Sequence, residues 1–506
     1  MNSKSAVRSR LRGHAKRLMI LFSVMTASQA RGDQGSVYGV SAPTMAHGRA
    51  LSSPSSVSHL NLSLADAVAL GLRGNREIRR SYLQRVAQKF DLQVAEAFFS
   101  PRLLLGSQLT TRRGSRDREQ QMNLAPKVTL NSEWGTRFSL SWAQRLDHAE
   151  KGGRKNQRDL GLEIVQPLLR NAGRDVVTAP RRRARLSEQS QRLGLQATVA
   201  QSVTQIASAY RELLKAQEQL RIVSQALDRS RKQMRVNDAL IAAGRMAQVD
   251  RLQNEADLAY QELNAEQAVH QLEARRRDLL QLLALDLSTP LRASDELRVE
   301  RVEMDDQDAL AIASQRQPRY LQQRIAQELA DIDLLEAKNQ QLWDLSLVAG
   351  AGQDRHAYSS STGNGVDRRW SSYAGVQLEI PIGDPLQRQR LVTAQVAVDS
   401  QAMQQAQAQQ ALERDVSDAI RTMQTHWRQY EIALRSLRLS QMKLAAEQQK
   451  LQVGRTSNFQ VLSFEEDLRR SENAVLNAQV TYLNAQTQLD ERLGMTLDSW
   501  EIALND

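Results

Sequence analysis

The side chains that most often carry catalysis are present in this sequence, but none of them stands in a familiar catalytic spacing. The seven histidines are scattered without an HExxH pair, and no phosphate-binding loop or GxGxxG motif occurs. The absence of cysteine excludes disulfides, thiolate zinc sites and cysteine nucleophiles. The acidic pairs Glu465-Glu466 and Asp305-Asp306 could serve acid–base chemistry, but we interpret them as solvated helix faces. We therefore expect no enzyme, cofactor or bound metal.

The first 30 residues have the features of a secretory signal peptide. A basic start precedes an apolar run from Leu18 to Met25, and Ser28-Gln29-Ala30 puts small residues at the −3 and −1 positions. The alternative is an unprocessed amphipathic N-terminus. Removing its six basic residues from the net charge of +11 leaves 11 − 6 = +5, so no nucleic-acid partner is expected. Residues 31–60, rich in Ser and Gly, suggest a flexible leader.

Two long segments are predicted to be helical hairpins. None of the ten prolines lies in 181–289 or 386–506, and both stretches are rich in helix-forming residues. Each is interrupted near its middle by a glycine, Gly244 in the first and Gly454 in the second. Residues 388–452 alone would make a helix of about 97 Å at about 1.5 Å per residue. Helices this long require packing along their length, as in a coiled-coil-like bundle.

The two hairpin segments match each other at an offset of 210 residues, which indicates an internal duplication. Gly244-Arg245 aligns with Gly454-Arg455, and Leu252 with Leu462. We expect a first repeat over 62–288, a linker over 289–303 and a second repeat over 304–498. A short C-terminal tail, 499–506, would follow the second repeat.

Each repeat also contains segments with strand periodicity, about 102–166 in the first and about 345–381 in the second. Apolar residues alternate with small or polar ones over about ten residues, the length of a tilted membrane-crossing strand. The alternative is a half-buried sheet in a soluble protein. In the membrane interpretation several copies must share one barrel, because sheet edges cannot stay unpaired in lipid. The side chains expected to face lipid are Trp134, Phe138, Leu140 and Trp142, and those expected to face water in the lumen are Glu163 and Glu379.

Four motifs make the chain resemble the outer-membrane efflux protein family, the TolC-type channels. They are Leu64-Ala65-Asp66-Ala67-Val68, Gln166-Pro167-Leu168-Leu169, the segment from Gly244 to Leu252, and the segment from Gly454 to Leu462. The resemblance implies a mainly α fold with membrane β: a trimer whose long helices form a periplasmic α-barrel and whose strands, four per protomer, form one 12-stranded transmembrane β-barrel. The first repeat departs from this pattern, because Met122, Leu124, Val128 and Leu130 form a further segment in which apolar residues recur with strand periodicity.

The resemblance also implies a function and partners. The chain would be an outer-membrane exit duct of a tripartite efflux or type I secretion system. It would act as a homotrimer with a periplasmic adaptor and an inner-membrane pump. The alternative hypothesis is a structural coiled-coil oligomer of the envelope without transport.

By the same resemblance, the hairpin tips would contact the adaptor and hold the periplasmic gate. The family carries acidic residues just after the tip glycine, and only the first repeat keeps one, Asp250. The corresponding gate positions of the second repeat are Gln460 and Ser463. The expected adaptor contacts are Ala243, Gly244, Arg245, Met246, Val453, Gly454, Arg455 and Thr456.

Overall fold

The computed structural model describes residues 60–113, 118–149, 153–244, 248–360, 363–453 and 455–504. The predicted signal peptide and nearly all of the predicted leader lie outside these residues. Among the described residues, no helix combines the length and the apolar character needed to cross a membrane. The elements in chain order are β1 (Leu60–Leu62), α1 (Leu64–Gly74), α2 (Arg76–Ala97), β2 (Arg102–Arg113), β3 (Arg118–Asn131), β4 (Arg137–Ala149), β5 (Gly153–Pro167), α3 (Arg174–Val177), α4 (Ala179–Ala242), α5 (Val249–Leu282), β6 (Leu291–Ala293), α6 (Asp306–Arg316), α7 (Pro318–Gln340), β7 (Asp344–Ser360), β8 (Gly363–Glu379), α8 (Pro385–Gln452), α9 (Asn458–Leu493) and α10 (Thr496–Ser499).

The two predicted helical hairpins are confirmed. Helices α4 and α5 form the first and α8 and α9 the second, with α4 ending at Ala242 and α8 at Gln452. Gly244 adopts φ +67°, a left-handed conformation that glycine adopts without a Cβ penalty. At the start of α9, the Ser457 side chain accepts a hydrogen bond from the Gln460 backbone N–H. Local chemistry thus ends α4 at the first break and starts α9 at the second.

The chain forms two compact units, and neither corresponds to one repeat. The first comprises residues 60–78, 198–317 and 415–504, and the second comprises 79–197 and 318–414, among the described residues. Each unit thus takes segments from both repeats, because α4 and α8 each contribute residues to both units.

The first unit has a tightly packed core around two buried tyrosines. Tyr210 of α4 donates a hydrogen bond to the Leu62 carbonyl, and Tyr482 of α9 donates one to the Glu300 carbonyl. The predicted linker is part of this core, since its β6 pairs in parallel with β1. The largest fully buried apolar side chains around the tyrosines are Ile206, Leu213, Leu279, Leu280, Leu283, Ile420, Met423, Leu489 and Leu493.

The second unit contains a six-stranded antiparallel sheet in the order β2-β3-β4-β5-β7-β8. The four strands per protomer expected from the resemblance are therefore wrong for this chain. The extra alternating residues of the first repeat form a complete additional strand pair, so this repeat contributes β2 to β5 and the second contributes β7 and β8. Trp134 also differs from expectation, because it lies in the turn between β3 and β4 and not in a strand.

Candidate functional site

The six-stranded sheet has one apolar face that continues across every strand. The register runs without a bulge, so the residues that share a face can be read from the pairing. Leu140 of β4 lies opposite Val128 of β3 and Leu162 of β5. The remaining large apolar side chains on this face are Leu103, Leu105, Leu109, Met122, Leu124, Leu130, Phe138, Trp142, Leu146, Leu160, Ile164, Leu345, Leu347, Val366, Trp370, Val376 and Leu378.

The opposite face of the sheet is polar. Glu163 lies opposite Ser139, and its carboxylate accepts a 2.9 Å hydrogen bond from the Tyr373 hydroxyl. Glu379 lies on the same face at the helix-proximal end, where Arg170 approaches its carboxylate at 3.8 Å. The structure thus places Phe138, Leu140 and Trp142 on one face and both glutamates on the other.

Of the predicted tip residues, several are exposed and one forms a hydrogen bond within the chain. Ala243, Gly244 and Arg455 are exposed, and 65% of Val453 is exposed. Arg245, Met246 and Gly454 lie outside the described residues. Thr456 is half-buried, and its hydroxyl donates a hydrogen bond to the Glu447 carboxylate, which lowers the pKa of Glu447. Thr456 therefore holds its own turn together. Nearby, Val249, Leu252 and Phe459 expose 64–65% of their apolar surface.

The three predicted gate residues lie at the starts of the returning helices. Asp250 is the second residue of α5, although its side chain is not among those described. Gln460 lies in the first turn of α9 and Ser463 in the next, and both are half-buried.

The sequence reasoning missed a buried chain of asparagines next to these gate positions. The Asn237 amide of α4 donates to Asn458 of α9, and Asn458 donates to Asn254 of α5, each at 2.8 Å. All three side chains are at most 3% exposed. Buried amides that hydrogen-bond to one another across helices fix the register of the packed helices. No sequence signal distinguishes them from the many polar residues of these helices.

A second missed feature is an arginine of α4 whose hydrogen bonds link this helix to α9. Arg211 donates hydrogen bonds to the Leu483 carbonyl and the Thr487 hydroxyl, both at 2.8 Å. Burial lowers the pKa of Arg211 to about 10, and attraction to Asp490 opposes this shift. Burial likewise raises the pKa of Asp490 to about 6, against a hydrogen bond from Ser499 and the charge of Arg211.

The acidic pairs considered for catalysis have structural roles. Asp305 accepts a hydrogen bond from the Gln307 backbone N–H and caps α6. Its carboxylate therefore has a structural role in addition to being solvated. Glu466 pairs with Arg469 at 2.7 Å, one turn along α9. No group of His, Asp or Glu side chains among the described residues could hold a metal ion.

Comparisons with known proteins agree with this geometry. The outer membrane efflux protein family matches residues 309–495. A comparison with curated protein sequences found no match. This family match confirms the predicted resemblance over the second repeat, and it supports the outer membrane as the location of the protein.

The fold is shared with solved outer-membrane channels. The open-state MtrE outer membrane channel of Neisseria gonorrhoeae superposes with a TM-score of 0.64 at 16% identity, over 88% of this chain and 94% of that one. The CmeC outer membrane channel of Campylobacter jejuni gives 0.64 at 13% identity, over 86% of each chain. A membrane protein from Pseudomonas aeruginosa gives 0.63 at 18% identity, over 85% and 93%. Residues 309–495 thus carry the signature of the outer membrane efflux protein family, and the chain has the fold of outer-membrane channels.

Proposed function

We propose that this protein is the outer-membrane exit duct of an envelope efflux or secretion machine and that it works as a homotrimer. The observation that carries the proposal is the sheet, with one continuous apolar face, one polar face and two open edges. An antiparallel sheet with these two faces suits a wall between lipid and water. The helical hairpins would extend from it into the periplasm as an α-barrel.

The two open edges favour assembly from several copies. Within the described residues, β2 and β8 each pair on one side only. Unpaired strand edges in a bilayer would leave backbone N–H and C=O groups without partners. With six alternating strands, β2 and β8 run in opposite directions, so β2 of one protomer can pair with β8 of the next as an antiparallel ladder. Three copies of six strands would close a barrel of 18, in a size range that leaves an aqueous channel.

The dimensions of the apolar face fit a bilayer. Trp343 precedes β7 and is 53% exposed, and Gln353, ten residues later, lies opposite Trp370 of β8. Ten residues span about 33 Å along a strand, or about 25 Å along the axis of a barrel tilted by about 40°. This equals the height of the apolar band of outer-membrane barrels, about 25 Å, which aromatic girdles flank.

The hairpin tips would dock the periplasmic adaptor, through which an inner-membrane pump is coupled. The exposed apolar residues Val249, Leu252, Val453 and Phe459 support a docking role, because apolar side chains grouped on a surface mark interaction sites. We assign the gate to the same end of the hairpins, with Asp250, Gln460 and Ser463 near the constriction. Asn237, Asn254 and Asn458 would hold this end in register.

Reconstitution of the purified protein into planar lipid bilayers tests the proposal. We expect stepwise single-channel conductance from a complex whose mass in detergent corresponds to three protomers. A protein that stays soluble and folded without detergent and gives no conductance would instead support the structural coiled-coil oligomer.

A further inference from the structure

The apolar face of the sheet changes in composition towards the strand ends that lie farthest from the helices. There it carries arginines and no carboxylate. The strands contain eight acidic residues, and the register places every one of them on the polar face. Arginines, by contrast, occur on both faces. The acidic residues are Glu119, Asp147, Asp159, Glu163, Asp344, Asp354, Asp367 and Glu379.

Three of the arginines on the apolar face form a row across neighbouring strands. Arg158 of β5 lies opposite Arg355 of β7, and Arg355 lies opposite Arg368 of β8. Neighbouring strands are about 4.8 Å apart, and like charges directly opposite each other destabilise a sheet. Within the described residues, none of the three guanidinium groups has an ion-pair partner. The row therefore concentrates three positive charges without a counter-charge from the chain.

Two arginines on the polar face behave differently. Arg369 lies 3.7 Å from Asp367, and Arg112 lies 4.0 Å from Glu119. The described part of the chain thus supplies counter-charges to these two arginines and none to the arginine row, so any anion at the row must come from outside the chain.

The position of the row identifies the surroundings of that anion. The neighbouring row towards the helices contains Trp142, Leu160, Gln353 and Trp370. Ten residues separate Arg355 from Leu345 at the other end of the apolar face, which again corresponds to about 25 Å along the axis of a tilted barrel. On β5 and β7 the arginine row thus lies beyond the last large apolar side chain of this face, next to a Trp-containing row typical of a membrane interface. On β3, β4 and β8 one further apolar residue follows, Met122, Leu146 and Val366.

We propose that the row formed by Arg158, Arg355 and Arg368 binds the phosphate group of a lipid headgroup in the outer leaflet. The inference rests on the proposed membrane orientation of the sheet. Guanidinium groups stay charged at all relevant pH values and bind phosphate oxygens in a bidentate manner. A bridging phosphate would also relieve the repulsion between the three arginines. A lipid is favoured over free phosphate because the row faces the same side as the apolar residues that would contact acyl chains.

The test uses the full-length complex in phosphatidylcholine nanodiscs, with the phosphorylated glycolipid lipid A as the probe. The triple variant R158Q/R355Q/R368Q removes the row. The matched control R112Q/R145Q/R369Q removes three arginines from the polar face. Native mass spectrometry counts the lipid A molecules bound to each complex. We expect an affinity about tenfold or more lower for the row variant, from the loss of several charge-assisted contacts, and unchanged binding for the control.

The outcomes separate this inference from the proposed function. Equal lipid A binding by wild type and row variant, in complexes that have the same mass and conductance, would overturn the inference and leave the channel intact. Displacement of lipid A by excess inorganic phosphate would identify a free-anion site and would also overturn it. The single variants R158Q and R368Q, each expected to bind lipid A more weakly, keep the test independent of assembly of the triple variant. A wild-type protein without channel activity would instead count against the proposed function.

Discussion

Leu140 is the residue at which the orientation of the sheet is most directly testable. It lies between Val128 and Leu162 on the apolar face. A basic side chain at the midplane of a barrel's lipid face costs about 2–4 kcal/mol. We therefore expect Leu140→Arg to reduce the fraction of assembled trimer recovered from membranes, as measured by native electrophoresis.

The neighbouring residue provides a matched control for this substitution. Ser139 precedes Leu140 in the same strand, faces the polar side and lies opposite Glu163. An arginine at residue 139 would meet water and a carboxylate, so Ser139→Arg should assemble like the wild type. Equal assembly of the two variants would show that the apolar face does not contact lipid.

Asp250 is predicted to set the ion selectivity of the channel. One carboxylate per protomer would give a trimeric constriction about three fixed negative charges, which attract cations into a narrow pore. Asp250→Asn should therefore lower the cation-to-anion permeability ratio measured in single-channel recordings. Gln460→Asp, which adds the carboxylate that the second repeat lacks, should raise the ratio. If neither substitution changes the ratio, the gate lies elsewhere.

Asp490 is predicted to make stability depend on pH. Its folded-state pKa of about 6 exceeds the ordinary aspartate value of 3.8, so the folded chain binds the additional proton between these pH values. The associated stability is complete below 3.8 and is lost as the pH rises through 6. Asp490→Asn should stabilise the protein at pH 7.5 by about 1–3 kcal/mol, at about 1.4 kcal/mol per pKa unit.

Thermal unfolding at pH 7.5 and pH 5 measures this effect. The wild type should gain more stability on acidification than Asp490→Asn, and the difference isolates Asp490 from other titrating groups. Identical pH dependence of the two proteins would show that the Asp490 carboxylate is not desolvated as the structure indicates.

The residue types alone were sufficient to predict the positions of some of these side chains and not of others. Alternation along β4 was enough to place Phe138, Leu140 and Trp142 on one face, because side chains alternate strictly in a strand. Trp134 was misplaced since alternation continued through a turn, where no such rule holds. The contacts among Asn237, Asn254 and Asn458 depend on which helices pack together, and a single sequence does not specify this.

At the scale of elements, a substitution between α8 and α9 can test the proposed docking of the adaptor. Val453 is exposed and directly follows α8. Val453→Asp would put a charge into the proposed apolar contact, so we expect about tenfold weaker adaptor binding, equivalent to about 1.4 kcal/mol. Crosslinking with the purified adaptor measures the loss.

The control for this substitution is Gln452→Asp, which introduces the same charge one residue earlier without removing an apolar side chain. Trimer mass should be unchanged in both variants. Undiminished crosslinking of Val453→Asp to the adaptor would remove Val453 from the proposed interface.

The helical elements were predictable, whereas the number of strands was not. Long stretches without proline, interrupted by Gly244 and Gly454, define the hairpins through backbone chemistry that acts locally. The strands follow a weaker pattern, and the family resemblance implied four of them. The alternation of Met122, Leu124, Val128 and Leu130 was compatible with an extra hairpin or with a longer strand, and the structure shows that they belong to β3, which pairs with β2.

For the whole molecule, the duplication seen in the sequence does not define the packing units. Helices α4 and α8 each run through both compact units, so neither repeat folds as a separate body. The short pairing of β1 with β6 in the predicted linker is likewise a long-range contact that local patterns do not reveal.

Disulfide crosslinking between the two open sheet edges tests the central claim most directly. The chain has no cysteine, so introduced pairs act without background. Gln108→Cys on β2 can be combined in turn with cysteine at Asp367, Arg369, Ser371 or Tyr373 on β8, which all lie on the same face. Disulfides form only when the Cα atoms lie within about 7 Å. We predict that one pairing gives a covalent trimer on a non-reducing denaturing gel. A crosslink confined to the monomer would show that the chain closes its own sheet, and this would contradict the shared barrel.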